Sequence, residues 1–340
     1  MNYIILLAVL VFLSGITFSE QEQFYSDYCS PKKTNAIKGV FVFLVILFHT
    51  EDYFTFGSND LWVQDLSRMF KQLPVVPFLF YSGFGIMESI QKKGFSYIKS
   101  IPLNRIVKTV VFADLGVISF AIYYLIFGIP FTIKQFFLSL VFWDQIGNCL
   151  WYLFVIVFLY LFTYISFRIF SKNYYVAAIF TGVISLPLFF VLVKTKDIFW
   201  YNTFFCYHFG LLYSLLRTKV ERFVMHNDLV YFLSLLIVFV LFSWIRTFGS
   251  FYFFTITGCL LMMIIVGISM KVSIDNPVLQ FLGNHILPVY LFHRIPMLVL
   301  GRFELGNVTK FILIVLITCI FSLLYDFVTA WINRKIFVRS

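Results

Sequence analysis

The chain has 340 residues, 61% of them hydrophobic and only 12% charged, with a net charge of +10 and a mean hydropathy of +0.92. Soluble globular domains carry roughly twice that charged fraction, so an ordinary soluble domain is excluded and an integral membrane protein remains. Membrane topology and anionic lipid account for the basic excess, and no nucleic-acid partner is needed.

The apolar runs are long and continuous rather than alternating, which predicts helices and not barrel strands. They fall near residues 3–18, 36–53, 74–90, 104–128, 150–170, 174–193, 200–216, 229–246, 250–270, 279–300 and 308–332. The expected fold is all-α, a polytopic transmembrane helix bundle. Residues 1–30 form an N-terminal span with a short linker, and residues 31–340 form one membrane domain without an internal repeat.

The first run, "NYIILLAVLVFLSGITF", lacks a basic flank and is followed by Glu20, Glu22 and Asp27. That pattern favours a retained span with its N-terminus outside over a cleaved signal. If the 36–53 helix starts on the cytoplasmic side, 17 of the 26 Lys and Arg fall inside, eight fall outside and Arg294 lies within a span. This agrees with the tendency of basic loops to stay cytoplasmic.

The 36–53 span holds Lys38 and His49. Eleven steps of about 100° come to nearly three turns, so the two share one helix face, about 16 Å apart along the axis. Ionisable groups at membrane depth are functional candidates by default. A snorkelling Lys and an interfacial His are the plainer alternative. Next comes "QKKGFSYIKSIPLNRIVK", in which Arg105 and Lys108 are i, i+3 neighbours on the first turn of a predicted helix. Two cations beside free backbone N–H groups suit a phosphorylated ligand arriving from the cytoplasm. For Lys92, Lys93 and Lys99, ordinary cytoplasmic charge is explanation enough.

Asp114 lies two turns into the 104–128 span and is a candidate to pair with a cation or orient a ligand. The stretch 131–147, short and carrying Lys134 and Asp144, predicts an interfacial or re-entrant helix. Trp151 and Tyr152 open a span from the outer side, as an aromatic belt or as a sugar-stacking platform. Pro187, Pro288 and Pro296 are potential helix breaks. His208 is expected to be an interior structural residue, and His226 and His285 are assigned no role. His293 sits in the outer half of its span, where it could approach His49. Ser82 and its glycine neighbours in "SGFG" are expected to serve close helix packing. The five cysteines are scattered, with no C-x-x-C pair, so neither a disulfide framework nor a metal site is expected.

From about residue 30 onward the chain resembles the acyltransferase-3 family, membrane-bound O-acyltransferases of bacterial surface glycans. The likeness is carried by the basic-x10-His helix (Lys38, His49), "FYSGFGIMESIQKKG" at 80–94, the Arg-x-x-basic pair (Arg105, Lys108), "CLWYLFVIVFLYLF" at 149–162, "WYNTFFCYHFGLLYS" at 200–214 and "FLGNHILPVYLFHRIP" at 281–296. Such proteins more often carry Arg where Lys38 and Lys108 stand, which keeps the charge and loses the bidentate fork. The resemblance implies a ten-helix core, to which the 3–18 span is an addition, in the inner membrane of the cell. It also implies acetyl-CoA as a cytoplasmic acyl-donor substrate, with no bound cofactor, and a hydroxyl of a glycan or lipid-linked sugar as acceptor. Lys38, Arg105 and Lys108 would then hold the CoA phosphates, with His49 and His293 as the catalytic candidates and Asp114 and Trp151 in support. A transporter or flippase of a glycan or lipid intermediate is the rival reading. Paired inverted repeats would favour it, and none is visible.

Overall fold

A computed structural model describes residues 1–57, 60–249 and 251–337 of the chain. It is an all-α bundle whose only sheet, among the described residues, is a two-stranded ribbon. Eight helical segments are long and apolar enough to cross a membrane, namely 31–52, 73–93, 95–126, 151–169, 174–195, 228–246, 253–271 and 307–337. The chain is a multi-pass membrane protein.

Helix α1 (Asn2–Leu13) is shorter than the expected 3–18 span. Its 12 residues rise about 18 Å, against roughly 30 Å of hydrocarbon. The helix stops because the chain turns at Gly15, whose φ is +82° and where a Cβ would overlap the Asp275 carbonyl. Ile16–Phe18 (β1) then pairs antiparallel with Val272–Ile274 (β2), in the register Ile16↔Ile274. The ribbon ties the N-terminal segment to the bundle through backbone hydrogen bonds, which carry no hydropathy signal.

Helix α2 (Pro31–His49) begins five residues before the apolar run, because Ser30 accepts a hydrogen bond from the Lys33 N–H at 3.4 Å and Pro31 occupies the first turn. The loop that follows contains a short amphipathic helix, α3 (Leu61–Phe70), and residues 58 and 59 of this loop lie outside the described residues. Helix α4 (Val76–Lys93) returns across the bundle and ends at Gly94, with φ +60°. Helix α5 (Phe95–Ile101), a π-helical turn over Pro102–Val107 and α6 (Lys108–Ile126) form one continuous segment, which starts nine residues earlier than its apolar run. The 131–147 stretch holds only an eight-residue helix, α7 (Ile133–Leu140), capped by Thr132.

Helices α8 (Trp151–Ile169) and α9 (Tyr174–Thr195) form a packed pair, and Pro187 is accommodated within α9 without a break. Helix α10 (Cys206–Val224) is displaced from the expected 200–216 span. Its second half carries Arg217, Lys219, Glu221 and Arg222, so only its first part is apolar. Helices α11 (Asp228–Arg246) and α12 (Phe251–Lys271) pack as a hairpin.

The expected 279–300 span is broken into α13 (Pro277–Asn284), α14 (Ile286–Phe292) and α15 (Arg294–Leu300). Proline clashes with the carbonyl four residues before it. For Pro288 that carbonyl belongs to Asn284 and for Pro296 to Phe292, and these are the last residues of α13 and α14. Each break therefore leaves a histidine, His285 or His293, at a helix junction. Helix α16 (Asn307–Ile332) closes the bundle.

Two glycine crossings hold the bundle's centre. A Cβ on Gly39 would overlap the Leu279 carbonyl, and one on Gly283 the Asn35 carbonyl, so α2 and α13 touch backbone to backbone. Gly83 and Gly210 do the same for α4 and α10, against the Tyr207 and Phe80 carbonyls. Gly83 lies in "SGFG", where close packing is the expected role.

The charge bias puts loop 301–306 outside and the 91–94 turn inside. A Cys at exposed Glu304 is expected to react with an impermeant maleimide added to intact cells, above the parent level set by the five free native cysteines. A Cys at exposed Lys93 is expected to stay at that level. The opposite labelling would invert the orientation.

Candidate active site

A cavity of about 810 Å³ opens among α2, α4, α8 and α14. Alternation of the helices fixes which lining residues lie at which end. Asp27, Asn35, Glu88, Arg217 and Asn284 surround the end where α2 begins and α4 finishes. Val75, Phe78, Tyr152 and Tyr290 line the other. From Glu88 to Phe78 the α4 wall rises about 15 Å.

Three cations line this cavity: Lys38, Arg105 and Arg217. Arg217 is neutralised, since its Nη1 meets Glu88 Oε2 at 3.2 Å and its Nε meets Glu221 Oε1 at 3.1 Å. Glu88 also accepts from Ser214 Oγ at 2.7 Å. Asp27 is held by Lys33 at 2.6 Å. The other two cations are left without a carboxylate among the described residues. Arg105 Nε donates to the Tyr97 hydroxyl at 3.0 Å, and half-buried Lys38 has no ion-pair partner. The cavity therefore keeps two uncompensated positive charges near its mouth.

Lys108 does not join them. Its Nζ lies 5.1 Å from the Phe337 ring centroid, away from the cavity lining. Three residues after Arg105 would be the same face of an α-helix, but the intervening turn is π-helical, with more residues per turn, and the two side chains diverge.

At the far end of α2, His49 meets His293. Their rings lie edge to edge and nearly coplanar, with centroids 4.9 Å apart and planes 11° from parallel, and His49 Nδ1 lies 2.6 Å from His293 Nε2. The break after Phe292 places His293, only 1% exposed, at this point. The proton positions follow from the partners. His293 Nδ1 faces the carbonyl oxygens of Val289 at 2.8 Å and Tyr290 at 3.1 Å, which only accept, so this nitrogen carries the hydrogen. In neutral His293, Nε2 is then the acceptor, and His49 Nδ1 must donate to it. His49 Nε2 is left with its lone pair, on a ring that remains half-buried rather than sealed.

A second link lies close by in the chain: Arg294 Nη2, at the start of α15, lies 3.3 Å from Asp52 Oδ2 in the turn after α2. Arg294 Nε is buried and has no hydrogen-bond partner among the described residues. Its position inside a span, directly after a histidine, was the available sequence signal for this residue. Glu51 accepts from Ser67 Oγ at 2.8 Å, which anchors the end of α2 to α3.

Asp114 lies on α6 outside the cavity lining, with Oδ1 buried and without a hydrogen-bond partner among the described residues. Trp151 is 5% exposed and packs on Phe199 at 6.3 Å, while its neighbour Tyr152 is the one that lines the cavity. His208 is an interior residue whose Nε2 pairs with Ser185 Oγ at 3.1 Å. His285, given no role by the sequence, sits between the Phe281 carbonyl at 2.6 Å and Asp326 at 2.8 Å. Glu88 and Arg217 are likewise given no role by the sequence. A carboxylate within the 74–90 apolar run was the signal for that ion pair.

No curated protein and no solved structure matches the chain significantly. A family model described as an acyltransferase domain, Acyl_transf_3, matches residues 33–327, which include every cavity-lining cation and both paired histidines. The chain belongs to the acyltransferase-3 family.

Proposed function

We propose that this membrane acyltransferase takes acetyl-CoA from the cytoplasm and transfers its acetyl group to a sugar hydroxyl of a cell-surface polysaccharide or its lipid-linked precursor. On this reading it works in the inner membrane of the cell. The observation that carries the proposal is the pairing of two uncompensated cations at one end of the cavity with an imidazole lone pair beyond the other. Lys38 and Arg105 suit the phosphates of CoA, and Lys108 would act only from the periphery. The pantetheine arm would lie along the α4 wall.

The chemistry follows from the proton positions. His49 Nε2 takes the proton of the acceptor hydroxyl as its oxygen attacks the thioester carbonyl. The tetrahedral intermediate collapses with cleavage of the carbon–sulfur bond, and the CoA thiolate takes the proton back from His49. One acyl–oxygen bond forms, one acyl–sulfur bond breaks, and the histidine returns to its starting state. His293 holds His49 in the tautomer this requires, with its own Nδ1–H fixed by backbone carbonyls. Arg294 Nε–H is a buried donor without an acceptor among the described residues, suited to the oxyanion of the intermediate. Trp151 and Asp114 would act at most through their neighbours.

Binding of labelled acetyl-CoA to the solubilised full chain tests the donor half. Arg105→Ala is expected to weaken binding roughly 10- to 100-fold, the equivalent of about 1.5–3 kcal/mol for a charge-assisted hydrogen bond. Lys38→Arg is expected to retain binding or tighten it, because Arg restores a bidentate fork. Absence of saturable binding by the parent chain, or unchanged affinity in Arg105→Ala, would overturn the donor assignment.

A further inference from the structure

We infer that Phe78, Tyr152 and Tyr290 form an aromatic gate that selects the acyl group by length, passing acetyl and rejecting long chains. This inference rests on the acyl-CoA reading of the cavity. Neither His49 nor His293 lines the cavity, although Tyr290, three residues before His293, does. A continuous series of ring contacts fills the interval. Phe78 and Tyr152 lie 6.4 Å apart between centroids, Tyr152 and Tyr290 lie 5.7 Å apart, and Tyr290 and His293 lie 6.5 Å apart. The first two pairs are edge-to-face, at 81° and 61°. Rings at these separations are in contact, and they stand between the cavity and the histidine pair.

A thioester carbonyl that enters from the Lys38 end must part these rings to meet His49. The acyl tail lies ahead of that carbonyl, at the leading end of the pantetheine arm, so the tail meets the rings first. One methyl group asks for a small displacement. A seven-carbon tail needs room beyond the rings, where His293 is 1% exposed and Met297 and Leu300 are buried.

The test compares octanoyl-CoA with acetyl-CoA as equimolar donors to native membranes carrying the full chain, with both esters measured on the glycan fraction of one sample. The ratio is independent of how much protein each variant yields. The parent is expected to transfer octanoyl at least about 100-fold less than acetyl. Tyr152→Ala and Phe78→Ala should each raise the octanoyl-to-acetyl ratio by about tenfold or more, the scale of discrimination available to a hydrophobic pocket. Neither side chain hydrogen-bonds the histidines, whereas Tyr290 supplies a carbonyl to His293 and is left intact. Tyr152→Phe keeps the ring and is expected to keep the parent ratio. Phe78→Leu, a milder truncation, carries the test should an alanine variant fail to fold, and is expected to shift the ratio the same way. A parent that transfers octanoyl as readily as acetyl overturns the gate, as does an unchanged ratio in the truncations. A parent that transfers neither overturns the acetyl-CoA reading itself.

Discussion

Replacing His49 with glutamine is expected to lower glycan acylation by roughly 10²- to 10⁴-fold while the protein remains in the membrane at parental abundance. Glutamine spans a similar reach and can donate a hydrogen bond to His293 Nε2, so the contact between α2 and α14 can persist. It cannot take up a proton near neutral pH, and that is the property the step requires. His49→Ala is expected to fail equally. Donor binding should survive in both variants, because Lys38 lies about three turns away along α2. The measurement pairs ester content with labelled acetyl-CoA binding. Substantial acylation by the glutamine variant would remove His49 from the role of base and leave His293 as the next candidate.

The second large effect is structural. Gly83→Val is expected to abolish recovery of folded protein, because the new Cβ would overlap the Tyr207 carbonyl oxygen and approach the Leu211 amide at 3.2 Å. These are backbone atoms of α10, so no rotamer change relieves the clash and the two helices must separate. Overpacking costs about 1–3 kcal/mol where neighbours can shift, and more where they cannot. Separation would also widen the wall formed by Phe78, Tyr81, Phe84 and Glu88. Gly85→Val is the internal control: it lies on the same helix, with nothing within 4 Å of its Cβ. The check is the monodisperse fraction after solubilisation. Equal recovery of the two variants would show that the α4–α10 crossing tolerates more separation than its geometry allows.

Helical period alone places Lys38 and His49 on one face of α2, because the face of a regular helix depends only on spacing. Both residues lie on the one helix Pro31–His49, and of the two only Lys38 lines the cavity. The meeting of His49 with His293 could be entertained from depth in the bilayer. The break that delivers His293 was written in Pro296, with Phe292 four residues before it. The divergence of Lys108 from Arg105 could not be read in this way. A π-helical turn is set by packing against neighbouring helices, and i, i+3 spacing assumes the α period. The ribbon between Ile16–Phe18 and Val272–Ile274 was hidden because three-residue strands give no periodic signal. The shortness of α1 was hidden because hydropathy continues past Gly15, where the backbone turns. The Glu88–Arg217 pair joins residues 129 apart in sequence, and no local pattern links them.

The central claim is that this chain places acetyl esters on a surface glycan by way of His49. Alkali-released acetate from the purified surface glycan tests it most directly, measured in cells with the parent chain, cells from which it has been removed, and cells complemented with His49→Gln. The account predicts ester-linked acetate in the first and its loss in the other two. Equal acetate in all three would contradict it.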